Sequence, residues 1–190
     1  MFDIWKTRTA MLLAVPCALM AAVNTSAGDD PIPFSPREAL GLVEDAALAW
    51  EPDARLVYLE NDEALTGAGE SKRWGYLFYS PTTDQARGYS VRSGKIVAAS
   101  DLQFEFDAPP LPGIWIDADV ALAAAEKKAG ARYREEFGGE VTTLLLVRGG
   151  FDEKKPDITT WTVIYTSPAA PSLFVLVDAV EGKVKKTWRG

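Results

Sequence analysis

The 190-residue chain is 47% hydrophobic and 25% charged, with 15 Gly, 12 Pro and a formal net charge of −7, a balance that excludes a disordered or collagen-like chain. It contains no His and one Cys, and Met1, Met11, Cys17 and Met20 all precede Ala21. Beyond that point there is no Ser/His/Asp triad, Cys nucleophile, His- or Cys-ligated zinc, disulfide, or haem held by His, Cys or Met. The sequence therefore marks no catalytic residue, no cofactor-binding residue and no metal ligand, and the expectation is a protein that is not an enzyme.

Residues 1–27 read as a secretory signal. Lys6 and Arg8 supply a positive start, an apolar run extends from Ala10 to Val23, and Thr25-Ser26-Ala27 places small residues where a signal peptidase cuts. A membrane anchor is the weaker reading, because a spanning helix needs about 20 apolar residues and this run is shorter and holds Pro16. Lipidation at Cys17 is disfavoured because Pro16 precedes it. The expected location is the periplasm or the cell exterior, with no membrane span in the mature chain. Its acidic charge repels phosphates, which argues against a nucleic-acid partner.

The first folded element opens at Ser35-Pro36-Arg37-Glu38, a capping box with Pro at the first helical position. Ala39, Leu40, Val43, Ala47 and Trp50 then recur at the spacing of one helical face, and Pro52 ends the run. A β-rich run, Ala54 to Glu60, follows. Next come two strands joined by a turn, in which Trp74, Tyr76 and Phe78 alternate onto one face. Leu102 to Phe106 alternates as well and reads as an edge strand or an extended arm. Asp107 to Gly113 holds Pro109, Pro110 and Pro112, which cannot donate to a sheet, so it reads as a connector.

Beyond the connector the order recurs. Asp117 caps a helix with Val120, Ala121, Ala124 and Ala125 on its apolar face, stopped at Gly130 or at Gly138-Gly139. Val141 to Val147 is a strand, and Trp161, Val163 and Tyr165 alternate in the next. Trp74 and Ser80-Pro81 match Trp161 and Ser167-Pro168 at one offset, and Gly94-Lys95 matches Gly182-Lys183 one residue later. Two α-β-β-β copies are expected, residues 28–107 and 108–190, each a helix on a three- to four-stranded antiparallel sheet. The fold class is α+β. Copies of this size have marginal cores, so they are expected to pack together.

The second copy, with GGEVTTLLLV, WTVIYTS and the run Val177-Asp178-Ala179-Val180-Glu181-Gly182-Lys183, resembles the PepSY domain, a cystatin-like module of exported and membrane-associated bacterial proteins and of peptidase propeptides. The first copy departs from that pattern, since Tyr89 to Lys95 lacks the Asp. The resemblance implies a non-catalytic module that contacts or inhibits a protein or peptide partner in the envelope, with a peptidase as one such partner. Alternatives are an enzyme inhibitor similar in architecture to the β-lactamase-inhibitor protein, a homodimer formed through sheet edges, and last an enzyme using carboxylate chemistry.

Individual residues have structural readings beside the functional ones. Trp50, Trp74 and Trp161 fall on apolar faces and suit a core. Trp115 suits a staple at the second helix start, and Trp188, placed beyond the last strand, suits either an exposed aromatic or one packed against the sheet end. Asp117 with Asp119, or Asp101 with Glu105 and Asp107, has the oxygen chemistry for calcium but no calcium-loop pattern. Asp178 is expected to bond its own turn, with Gly182 at positive φ. The loops Asn61 to Lys72 and Gly149 to Thr159, with Gly67-Ala68-Gly69 and Gly149-Gly150 in them, are long enough to carry binding function, and tolerated insertions explain them equally well.

Overall fold

A computed structural model describes residues 30–102, 109–149 and 157–190. The elements are α1 (Leu40–Trp50), β1 (Arg55–Asn61), β2 (Arg73–Ser80), β3 (Gln85–Arg92), β4 (Lys95–Leu102), α2 (Ala118–Ala125), a π-helical stretch (Glu126–Gly130), α3 (Ala131–Phe137), β5 (Glu140–Arg148), β6 (Thr159–Ser167), β7 (Ala170–Asp178) and β8 (Val184–Arg189). The class is α+β. The strands do not form two small sheets: all eight join one antiparallel sheet in the order β4-β3-β2-β1-β5-β6-β7-β8. β1 and β5 would each leave a row of unpaired backbone groups, and pairing them satisfies both rows. Pro31–Gly190 is one compact unit. Of the alternating run after β3, Leu102 ends β4 and residues 103–106 lie outside the described residues.

Local chemistry accounts for the helix ends. The Ser35 N–H donates to the Glu38 carboxylate at 2.8 Å, the reach-back half of a capping box. Regular helix nevertheless begins a turn later than the capping pattern suggests, at Leu40, after a turn over 36–39. Ala39, Val43 and Ala47 are buried as their spacing predicts, while Trp50 is half-buried beneath the Arg87 guanidinium. Asp117 caps α2 by accepting from the Ala118 N–H. One detail of the second helix differs from expectation: Ala121 and Ala125 are buried, with Ala118 and Leu122, but Val120 points outward at 46% exposed. Of the two stops the sequence offered, Gly130 is passed over, and the helix runs through the π-helical stretch to Phe137 and ends at Gly138, whose φ of 61° is left-handed. Gly130 instead admits the Tyr165 phenol, which would overlap any side chain there.

The helices cover one face of the sheet, and the alternating aromatic rows lie beneath them. Trp74 and Trp161 are each 0% exposed, surrounded by Tyr76, Phe78, Val163 and Tyr165. Each indole N–H is satisfied by a carbonyl just ahead of a helix: Trp74 Nε1 donates to Phe34 O and Trp161 Nε1 to Ile116 O, both at 2.8 Å. The matched serines act at the other helix ends. The Ser80 hydroxyl donates to Asp53 at 2.6 Å, and the Ser167 hydroxyl donates to Phe137 O at 2.5 Å. A smaller apolar cluster of Val57, Leu77 and Ala86, with Tyr58, Tyr79 and Leu102, lies on the opposite face.

Shortening a fully buried indole forfeits a hydrogen bond worth about 1 kcal/mol and leaves a cavity, even though Phe34 O keeps the Ser71 N–H as a second donor, whereas a partly exposed cation–π contact contributes about 0.5–1 kcal/mol. Trp74→Phe and Trp161→Phe are therefore each expected to lower the denaturant midpoint clearly more than Trp50→Phe. Gly130→Ala is expected to destabilise by about 1–3 kcal/mol through overpacking, with part of the loss recovered in the Gly130→Ala/Tyr165→Phe double variant, as urea titrations would read.

Candidate binding groove

The centre of the molecule is a short seam. β1 and β5 pair only through Tyr58, Leu59 and Glu60 against Val147, Leu146 and Leu145. Asn61 extends that pairing with its side chain, its amide N–H donating to Thr142 O at 3.0 Å while its carbonyl accepts from the Leu144 N–H at 2.7 Å. Nothing in the local sequence around Asn61 signals this role.

Above one end of the seam, on the helix side, lies a groove of about 380 Å³. Leu40, Glu44 and Leu48 of α1 form one wall, Leu56 and Phe78 the floor, and Pro110 to Gly113 with Trp115 the other wall; Arg55 and Arg148 stand at its rim. Leu48 is 51% exposed. Leu40 was expected on the buried face and Glu44 and Leu48 were not singled out; the four-residue spacing of the three is the signal that would have marked this wall.

The connector wall is tied at several points. The Leu111 N–H donates to Leu56 O at 2.8 Å, Arg148 donates to Pro110 O at 3.2 Å, and the Ile116 N–H donates to Ala179 O at 2.6 Å. Arg37 donates to Trp115 O and lies over the Trp115 ring, 4.0 Å from its centroid. Trp115 is 5% exposed and meets Trp161 edge-on, with centroids 5.9 Å apart, so it is core as well as groove wall. The groove is thus an open slot of mixed lining, its apolar floor and walls interrupted by an acidic residue on one wall and arginines at the rim, suited to an apolar side chain with polar neighbours.

The other sequence candidates fall elsewhere. Asp117 caps α2, and the Asp119 carboxylate accepts from the Val120 N–H at 2.7 Å. Asp101 takes both ends of the Arg87 guanidinium, at 2.6 and 3.0 Å, and Arg87 holds its pKa below the usual range. Glu105 and Asp107 lie outside the described residues, among which no cluster of three or more acidic groups converges as a metal site. Asp178 accepts from the Val180 and Glu181 N–H groups at 2.8 and 2.9 Å, with Lys185 at 3.1 Å and Gly182 at φ 69°. Trp188, expected beyond the last strand, sits within β8, half-buried and stacked on Phe174 at 5.0 Å.

The loop Asn61 to Lys72 is folded onto the protein. Thr66 accepts two of its N–H groups, the buried Ser71 hydroxyl donates to Glu63 O, Ser71 pairs with Phe34, and Gly69, at φ 76°, packs against the Ala118 backbone. Of the second loop, Gly149 is at φ 76° and residues 150–156 lie outside the described residues. On the face away from the helices, the Tyr58 hydroxyl donates to the Glu60 carboxylate at 2.6 Å; burial, opposed by that bond and aided by the charge of Asp62, raises the Glu60 pKa.

Beside the groove, hydrogen bonds from Ser80 and Thr82 hold Asp53 down to about 2 from its ordinary 3.8. A carboxylate depressed in the folded state stabilises the fold above its unfolded pKa and ceases to as the pH falls through its folded one. Asp53→Asn is thus expected to lower the denaturant midpoint at pH 6, with the gap to the native protein closing between about pH 4 and 2. Comparison with family models, with curated proteins and with solved structures finds no match for this chain.

Proposed function

We propose that this chain is an exported tandem PepSY-like binding module, two α-β repeats fused into one sheet, that contacts and in the stronger form inhibits a protein or peptide partner in the cell envelope. In this reading it performs no chemistry, and its partner inserts an apolar side chain into the groove between α1 and the connector. The observation that carries the reading is the groove itself: an open slot with an apolar floor whose walls are pinned before any ligand arrives, with the half-exposed Leu48 at its mouth. A preformed slot of this kind avoids the ordering cost of binding, which is what a recognition module needs.

The test is site-specific photocrosslinking in the exporting cell. A photoreactive residue at Leu48 is expected to capture one dominant envelope protein that the same residue at the exposed Asp45 does not capture. Equal capture at both positions, or none at Leu48, would sink the proposal. If the captured protein is an enzyme, a purified pair then separates the inhibitor from the plain binding module: the inhibitor lowers its activity, and Leu48→Glu relieves the effect.

A further inference from the structure

We propose that the cleft between the π-helical stretch and the C-terminal edge of the sheet is a second binding site, one that takes an acidic peptide segment with a carboxylate beside an apolar side chain. It rests on the reading of the chain as a binding module but not on the groove. The cleft measures about 330 Å³ and has cations on both sides, Lys128 and Arg132 from the helix and Arg189 from β8, over Tyr133 and Leu173. Among the described residues no Asp or Glu lines it. In a chain of net charge −7 this is a local reversal of sign.

The cations are available. Lys128 makes no ion pair among the described residues. Arg132 meets Glu136 at 3.5 Å with both side chains largely exposed, a pairing worth little in water. Arg189 lies 4.6 Å from the Phe137 ring centroid and 5.6 Å from that of Tyr133. Such contacts hold a guanidinium in place without neutralising it, so its ordering is complete before an anion arrives. Lysines along an edge strand also discourage edge-to-edge aggregation, but that role requires neither an arginine anchored over rings nor an apolar floor beside it.

Two features select a peptide. β8 is the last strand in the sheet, so its outer backbone groups can pair with an added extended segment while the cleft takes a side chain. The negative charge of the whole chain acts against long polyanions and anionic membranes, whereas a short peptide responds to charges within a Debye length of about 8–10 Å.

The probe is the peptide acetyl-Asp-Phe-Glu-Phe-Asp-amide, titrated into the isotope-labelled full chain and followed by amide NMR shifts, with its Asn/Gln analogue, inorganic phosphate and phosphatidylglycerol vesicles as comparisons. Shifts are expected along β8 and around Lys128 to Arg132. Affinity should fall about tenfold or more for the neutral analogue and for Lys128→Glu/Arg132→Glu, and should be unchanged in Leu48→Glu. Both reversed positions are exposed, and Lys128→Gln/Arg132→Gln provides a milder variant whose fold is checked by its amide spectrum. Equal affinity for the neutral analogue, insensitivity to the charge changes, shifts confined elsewhere, or equal binding of phosphate or vesicles would overturn the assignment. Loss of Leu48 crosslinking with peptide binding intact would remove the groove and leave this site standing.

Discussion

Two buried indole N–H groups determine where everything on the helix side of this sheet sits. A tryptophan with no exposure has to satisfy its N–H inside the protein, and here each does so on the carbonyl that precedes a helix. The strand thereby dictates where the chain turns into α1 and into α2. The serines at the far ends of the same strands then meet the segments just past those helices, at Asp53 and Phe137. With both ends of each helix tied to one strand, the space between α1 and the connector is fixed as well, and the groove is the space that remains.

Much of this was legible in the sequence because it rests on side chains with local signatures. Alternation put Trp74, Tyr76 and Phe78 on one face, the shared Trp and Ser-Pro pairs aligned the hairpins, Asp117 announced a cap, and Asp178 with Gly182 announced a turn. What could not be read depends on contacts that leave no local trace. The joining of β1 to β5 is a matter of backbone groups, which every residue carries, so two sheets were expected where there is one. The sequence left Gly130 and Gly138 both open as the helix stop, and that Gly130 serves packing instead shows only through Tyr165, a residue on a distant strand whose ring fills the space a side chain there would take. Of the face read for the second helix, Ala121, Ala124 and Ala125 do meet the core, but Val120 turns outward, and among small apolar residues the helical spacing alone could not place the edge of that face.

The groove was barely legible for the same reason. On its α1 wall only Leu40 was singled out, and that as core, while its other wall is a proline-rich segment that reads as a mere connector until Leu111, Arg148 and Arg37 tie it down. The proline that removes a backbone donor also stiffens the wall, so the segment least able to join the sheet became the one best suited to frame a slot. The long loop after β1 illustrates the opposite case. Its length suggested a free binding arm, yet Thr66 and Ser71 consume its polar groups internally, and Gly69 brings it against α2.

The seam between β1 and β5 has a kinetic meaning as well. Every other strand pair in the sheet joins neighbours in sequence, so each half gathers its strand contacts across separations far smaller than the one that brings β5 to β1. The three-residue seam is the strand pairing that must wait for a long stretch of chain to come round. Because one core cluster runs from Ala39 through Ala179 across that seam, neither half completes its burial until β1 and β5 meet, and before they meet each half leaves a bare inner edge. Closure of the middle is thus where backbone pairing and core burial coincide.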